Sequence, residues 1–536
     1  MERRDDVEVS GPDGGGWAAW QPLTRRGFVA HAAALGAAAA LPGCVSGNDS
    51  ATKAVGKPKR GGTLRVGITG GGSADTLNPF SPYNDLDYAR APNLFDYFVD
   101  WDQKSQPVLS LAEEMTPNSD GTEWTIRLRD GIEFHNGKTA TSEDMKYSLQ
   151  QIVDPKAPGI LAANLASMDA AGIKTVDKRT IRVPFKIPFS ILIETLMAYG
   201  APLVPVGFDP KKPIGSGPFK YESFTPGQQS TFLRHPNYWQ TGKPYVDKLV
   251  MTDYSDETTQ VNSLISGEID LASKITAGSV SAVENAGLKV RIAQSGAWDP
   301  ILFRVDVQPF SDPRVREALK LIVDRKQMLE TVYGGHGMVA NDLYAPWDPA
   351  YNKDIPQREQ DIEKAKSLLK QAGHEGLSAT LVTANLTPTN TQVCEVYARQ
   401  AQEAGVNIKL NRVPTATMFG PNYTKWPMAT SFWPVEPYFP NVGQIDLPDS
   451  FYGETHFYKA SPHYVELYGQ ALAELDKAKR IEIAHEMQDI YHKLNGYIIS
   501  VFRADIDANS SKVQGVKESN LGYSWWRYKF KEMWLA

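Results

Sequence analysis

The chain has 536 residues, 42% hydrophobic and 22% charged, with two cysteines. That length leads us to expect two to four folding units with sizeable apolar cores, and two cysteines exclude a disulfide-stapled mini-protein. Lys and Arg number 56 against 62 Asp and Glu, a net charge of −6, so the positive excess that neutralises nucleic-acid phosphates is missing and no nucleic-acid partner is expected.

The first legible stretch is N-terminal. Thr24-Arg25-Arg26-Gly27-Phe28-Val29 precedes a weakly apolar, Ala-rich run that ends in Leu41-Pro42-Gly43-Cys44. The paired arginines before a Phe resemble a twin-arginine export signal, and Leu-x-Gly-Cys resembles a bacterial lipobox, with Pro42 atypical inside it. Residues 1–43 are therefore expected to be a cleaved lipoprotein signal addressed through Arg25 and Arg26. Cys44 would be the lipid-bearing first residue of the mature chain, holding it to the membrane by acyl chains. A membrane span needs ~20 apolar residues, and this run is about half that. Residues 44–60 then read as the lipidated Cys and a flexible tether, rich in Gly, Ser, Lys and Pro.

Beyond residue 60 short strand patterns alternate with helical ones. Thr63-Leu64-Arg65-Val66-Gly67-Ile68 alternates as a strand and meets Gly70-Gly71-Gly72. A phosphate-binding glycine loop must open a helix, whereas this one runs into the turn-like Asp75-Thr76-Leu77-Asn78-Pro79, so dinucleotide binding is set aside. Trp124 to Leu128 reads as a strand, Arg129-Asp130-Gly131 as a turn and Ile132-Glu133-Phe134 as a second strand, which together predict a hairpin. Thr141-Ser142-Glu143-Asp144 predicts a helix N-terminus, with Met145, Leu149 and Ile152 on its apolar face. Two further helices are predicted, one after Asp312-Pro313 with Val315, Leu319 and Ile322 inward, and one from Asp361 to Gln371 stopped at Gly373. The mixture has no fixed repeat and predicts α/β or α+β lobes.

Residue chemistry gives enzymes little support. The nine histidines contain no His-Glu-x-x-His; His485 and His492 share a predicted helix face without a third ligand near in sequence. There is no Gly-x-Ser-x-Gly elbow, and Gly215-Ser216-Gly217-Pro218 reads as a tight loop. Cys394 falls in a helical pattern where a buried thiol is the default. No metal, cofactor or catalytic residue is expected.

The segment Asp120-Gly121-Thr122-Glu123-Trp124-Thr125-Ile126-Arg127-Leu128-Arg129-Asp130-Gly131-Ile132-Glu133-Phe134-His135-Asn136-Gly137-Lys138 is followed in order by Ile214-Gly215-Ser216-Gly217-Pro218-Phe219, His235-Pro236-Asn237-Tyr238-Trp239, Gly267-Glu268-Ile269-Asp270 and Asp312-Pro313-Arg314-Val315-Arg316-Glu317-Ala318-Leu319. This series resembles the extracellular solute-binding proteins of family 5, the peptide- and nickel-type receptors of ABC importers, over nearly all of the mature chain. The resemblance implies an α/β, two-lobed periplasmic-binding-protein fold (type II, large peptide-binding class) with the ligand cleft between the lobes. Residues 61–301 plus 503–536 would form lobe I and residues 302–502 lobe II. A monomer would close on a small-molecule or peptide solute outside the cytoplasmic membrane and deliver it to the transmembrane subunits of an ABC permease. An oligopeptide or peptide-like solute leads. An oligosaccharide, opine or nickel chelate is the alternative on the same fold, and an extracellular hydrolase or sensory receptor the alternative of another class.

The resemblance also suggests site residues. In peptide-binding relatives an acidic residue three after an aromatic pairs with the ligand's α-ammonium group, and Trp433-Pro434-Val435-Glu436 matches with Glu in place of the usual Asp. Dipeptide-binding relatives hold the ligand carboxylate with an arginine where this chain has Ala384, beside Asn385, so a free zwitterionic dipeptide is disfavoured. Arg304 is either a replacement anion partner or a structural partner of Asp306 or Asp324, the latter favoured. Trp298, Trp433 and Tyr438 are candidate cleft aromatics, and Thr76 and Asn78 lie on a loop that points into the cleft in the family.

Overall fold

Strand Thr63–Thr69 buries Leu64, Val66 and Ile68 completely, as its alternation requires. A computed structural model describes residues 57–102, 106–517, 520 and 522–536; the expectations for Arg25, Arg26 and Cys44 lie outside these residues. Thr63–Thr69 is the centre of an eight-stranded sheet, running parallel to Lys248–Tyr254 on one side and Leu271–Ala272 on the other. Antiparallel strands extend it: Gln229–Arg234 and Phe219–Thr225 beyond the first neighbour, Val501–Asn509 and Lys289–Trp298 beyond the second. The late strand Val501–Asn509 is buried along its whole length because it lies between Leu271–Ala272 and Lys289–Trp298.

A second sheet of five strands has the order Asn407–Arg412, Ser378–Thr383, Met428–Thr430, Ile301–Phe303, Tyr497–Ile498. Helices Pro313–Leu321, Ile362–Gln371 and Asn390–Glu403 pack against it through Val315, Leu319, Leu369, Val393 and Tyr397. Asp312 and Asp361 cap their helices, and the predicted apolar faces are the buried ones. The chain passes from the first sheet to the second between Trp298 and Ile301 and returns between Ile498 and Val501; in between, the short strand Gly337–Val339 also joins the first sheet, antiparallel to Val501–Asn509. Cys394 is fully buried in this core, and burial pushes its thiol up to about 12, far from a thiolate.

The predicted strand 124–128 exists as Glu123–Leu128, but its hairpin does not. The turn is present, with Gly131 at φ +72°, yet the strand pairs with Ala112–Pro117 and Thr180–Pro184 in a four-stranded sheet. Long-range partners win because Ile132 and Phe134 are drawn into the core, and His135 is drawn to a distant loop. The N–H of His135 donates to Gly215 O at 2.9 Å, while its Nδ1 accepts from Gly215 N–H at 3.1 Å. The proton therefore sits on Nε2, which donates to Gly217 O at 3.1 Å. His235 also reaches Gly217 O through Nδ1, at 3.2 Å, and Tyr238 and Trp239 both donate to buried Asp96.

Three of the sequence motifs thus meet in one structural joint. A Cβ on Gly215 would lie 1.9 Å from Leu94 O, and one on Gly217 would lie 2.5 Å from the Leu94 carbonyl carbon. Gly215→Ala is expected to cost at least about 3 kcal/mol in urea unfolding, since backbone must move. Gly469→Ala is the contrasting control: nothing stands within 4 Å of that helical position, and the alanine is expected to stabilise by about 0.5–1 kcal/mol.

The helix predicted after Thr141 is Ser142–Ile152, closed by a capping box in which Asp144 accepts from Thr141 N at 2.9 Å. His485 and His492 share helix Lys477–Leu494. Among the described residues no three His, Cys, Asp or Glu are arranged to hold a metal ion, and no helix is long and apolar enough to cross a membrane.

Candidate functional site

Trp298 ends the last strand of the first sheet, and Trp433 follows the Met428–Thr430 strand of the second. Their backbones exchange two hydrogen bonds, of 2.9 and 2.8 Å. This fixes the indoles face to face, with centroids 5.7 Å apart at 19°. Tyr344 also stacks on Trp298, at 6.1 Å, and Tyr438 stacks on Tyr344 at 5.6 Å. Three of the sequence candidates, Trp298, Trp433 and Tyr438, therefore belong to one aromatic ladder beside the crossings between the sheets, completed by Tyr344, which the sequence did not single out.

Glu436 lies next to the ladder and is 4% exposed. Its Oε1 accepts from the Tyr523 hydroxyl at 3.2 Å, and its buried Oε2 has no hydrogen-bond partner among the described residues. Burial pushes its carboxyl up to about 7, against the opposing pull of the Arg527 guanidinium and the Tyr523 hydroxyl. Two more carboxyls nearby are buried among neutral donors. Glu454 accepts from Ser431, Tyr423 and Tyr497 and is pushed to about 7 by burial. Asp446 accepts from Tyr344 and Tyr464 and is pushed to about 8 for the same reason. None of the three has a protein cation in ion-pair contact among the described residues, so a positive group entering here would favour their charged form and pair with it.

Tyrosines close the space around Glu436. Tyr88 and Tyr452 share a hydroxyl contact of 3.1 Å between the helix after the first strand and the loop after helix Tyr438–Ile445. Tyr199 and Tyr523 pack at 4.8 Å, and each packs on Tyr88 as well. The C-terminal segment 523–528, which supplies Tyr523 and Arg527, gave no sequence signal except its unusual Trp525-Trp526-Arg527-Tyr528 cluster of aromatics around a charge.

The remaining candidates stand elsewhere. Arg304 makes a two-pronged contact with Asp306, at 2.9 and 2.8 Å, in a group with His456 and Lys459. Its charge lowers the Asp306 carboxyl against the effect of burial. Asp324 instead caps helix Arg325–Tyr333. Thr76 and Asn78 stabilise the turn before helix Asp85–Leu94: Thr76 N–H donates to Asp87, Asn78 N–H to Thr76 Oγ1, and Asn78 Nδ2 to Ser81. Asn385 is exposed, accepts from Thr391 Oγ1 at 3.0 Å, and lies in the loop that meets Gly70. A Cβ on Gly70 would stand 2.6 Å from Leu386 O, so the loop after the first strand and the loop after Ser378–Thr383 touch main chain to main chain. Ala384 is buried and apolar.

Comparison with known proteins gives this arrangement its context. The family model for bacterial extracellular solute-binding proteins, family 5, matches residues 106–449. Glutathione-binding protein GsiB of Escherichia coli K12 is 25% identical over 477 residues, which span 84% of this chain and 91% of the relative. Among solved structures, AgaA of A. tumefaciens R10 in complex with agropinic acid aligns with a TM-score of 0.80 at 23% identity, covering 89% of this chain and 99% of that one. The oligopeptide-binding protein AppA of Bacillus subtilis, in complex with a nonapeptide, aligns at 0.79 and 22% identity, covering 90% and 100%. The two sheets correspond to the two-lobed fold of these neighbours. With its motifs gathered into one joint and its family match running over most of its length, the chain belongs to the bacterial extracellular solute-binding proteins of family 5.

Proposed function

We propose that this protein is the extracytoplasmic receptor of an ABC importer for an oligopeptide or peptide-like solute, with the ligand's ammonium group held at Glu436. The observation that carries this reading is the buried Glu436 carboxyl, with one oxygen unpartnered, beside an aromatic ladder that spans both sheets. A carboxylate there is short of a positive partner, and a ligand cation supplies one in a low-dielectric setting. Trp433, Trp298 and Tyr438 offer faces for the rest of the ligand.

Lobe I is read as residues 61–301 plus 503–536 and lobe II as 302–502. The pairing of Val501–Asn509 with the first sheet and of Ile301–Phe303 with the second supports this division, with Gly337–Val339 the one stretch of lobe II among the described residues that reaches across to pair with Val501–Asn509. Closure is then a rigid-body change that ligand drives by differential affinity. Arg304 is read as structural, its guanidinium being taken by Asp306. The protein binds and hands over as a monomer and breaks no bond; the deeply buried thiol of Cys394 supports that.

A lipid on Cys44 is the anchor in this reading, with Arg25 and Arg26 the export address. Cys44→Ser is expected to move the protein from the membrane fraction to the soluble fraction; retention in the membrane would remove the anchor. The peptide reading is tested by thermal-shift titration of the mature protein with peptides, oligosaccharides, opines and nickel chelates. Peptides are expected to raise the melting temperature, since a ligand at a hundred times its Kd adds about 2.7 kcal/mol. A response confined to non-peptide solutes would turn the reading to the second class, which the apolar Ala384 favours.

A further inference from the structure

We propose that the helices of the second sheet carry a second ligand site, separate from the region around Glu436, for a free monocarboxylate with an aliphatic or aromatic body.

Helices Pro313–Leu321 and Ile362–Gln371, the loop 357–359 and the end of helix Lys477–Leu494 enclose a cavity of about 550 Å³. Sites for small molecules run from roughly 300 to 1,000 Å³. Helical spacing explains the lining. Glu317 and Leu321 stand one turn apart on the first helix, and Lys364 and Leu368 one turn apart on the second, so each helix gives the cavity a charged and an apolar side chain from the same face. Pro313 adds to the apolar part, and the exposure of Gln357, Glu359, Lys364 and Lys493 leaves the cavity open to solutes.

The charges of the wall do not cancel. Arg314 lies against Asp312 at 2.6 Å, and Arg358 is held by Asp342 and, at 3.1 Å, by Glu317. Lys364 and Lys493 have no carboxylate in ion-pair contact among the described residues, and Glu359 has no cation. Two unpaired ammonium groups against one unpaired carboxylate leave a single positive charge, in a chain whose net charge is −6. A monoanion matches that charge, and Leu321, Leu368 and Pro313 match an apolar body. His492, which also lines the cavity, feels the same potential: burial, and after it the charges of Arg358, Lys320 and Arg325 against Asp342, push its imidazole down to about 3.

The cavity reaches the return crossing through Arg358. This residue is 7% exposed, donates to His492 O at 2.9 Å and holds Asp342, whose Oδ1 accepts from Ile499 N–H at 2.8 Å. Ile499 lies where the chain returns between the sheets. Asp342 takes φ +54°, a left-handed conformation imposed from outside: Arg325 and Arg358 grip its Oδ2, and Asn495 Nδ2 donates to its carbonyl at 3.2 Å. Backbone strain held in this way gathers at clamps and switches. A carboxylate in the cavity therefore shares its walls with the guanidinium that grips the return crossing.

Calorimetric titration of the purified protein with decanoate tests this, with acetate and decylammonium as comparisons that keep only the anionic head or only the chain. Decanoate is expected to bind at one site, about tenfold or more tighter than either. Lys364→Gln combined with Lys493→Gln is expected to weaken decanoate about tenfold, while Lys211→Gln combined with Lys212→Gln, two exposed lysines elsewhere, leaves it unchanged. If the first double variant melts lower than wild type, each single substitution is read in its place and is expected to weaken decanoate about threefold. Acetate or decylammonium binding as tightly as decanoate overturns the ligand class. Absence of decanoate binding, a decanoate affinity that survives loss of Lys364 and Lys493, or an equal loss in the control variant overturns the site. The response of the cleft to peptides is read separately, so each of these failures leaves the peptide reading standing.

Discussion

Glu436→Gln is expected to weaken binding of an ammonium-bearing ligand by roughly 10- to 150-fold, the equivalent of the 1.5–3 kcal/mol that a buried charge-assisted hydrogen bond contributes. Gln keeps the size of the side chain and its contact with Tyr523, so the loss isolates the charge. The same substitution acts oppositely on the empty receptor. Above pH 7 the wild-type carboxyl, raised to about 7 by burial, must carry a charge inside the protein or be held protonated, and either state costs free energy that a neutral amide avoids. The variant should therefore melt at a higher temperature than wild type at pH 8 without ligand while binding ligand less well. Unchanged affinity in calorimetry would remove Glu436 from the site, and a lower melting temperature at pH 8 would show that its carboxylate is already compensated.

The stability of the ligand-free protein is expected to fall between pH 6.5 and 8. Glu436 and Glu454 are pushed to about 7 and Asp446 to about 8, in each case chiefly by burial. An acid whose folded pKa exceeds its unfolded value of about 4 stabilises fully below that unfolded value. The contribution is lost as pH rises through the folded pKa, at up to about 1.4 kcal/mol per pH unit for each group. Asp253 and Asp507, both pushed to about 7, tilt the same way. Lys320, lowered well below its usual value by burial, and Lys529, lowered to about 8 chiefly by burial, tilt the other way. His135 and His492, lowered to about 3, favour unfolding only below about pH 6.5, and Asp342, held near 2, changes only in acid. Thermal unfolding at half-unit steps from pH 6.5 to 8 should show a falling melting temperature, and Glu436→Gln should make the fall shallower. A flat profile would mean that the buried acids keep their ordinary proton affinities.

The parts legible in the sequence were those set by local rules. Helix caps at Thr141, Asp312 and Asp361, the alternating strand after Thr63 and the apolar helix faces all follow from periodicity and short-range hydrogen bonds. The hairpin after Trp124 failed because its strand found partners at 112–117 and 180–184, a pairing of distant segments that no turn residue announces. The aromatic positions 433 and 438 were found through the motif around Glu436 and 298 through its place just before the hinge, and the three share one ladder. Tyr344, Glu454 and Asp446 were missed because burial, which sets their behaviour, is a property of the assembled chain. Arg527 was missed for a related reason: it lies 91 residues after Glu436, and only the return of the C-terminal segment sets them side by side.

The contact at Gly70 bears on what the two loops measure when they meet. The space between Gly70 and the Leu386 carbonyl does not admit even one side-chain carbon, so the rims touch main chain to main chain with almost no tolerance. A solute that props the lobes apart by the width of a methyl group keeps the rims from meeting, however well its charges are satisfied deeper in. The molecule then behaves as a caliper, turning the size of whatever it holds into a single length between two buried stretches of main chain.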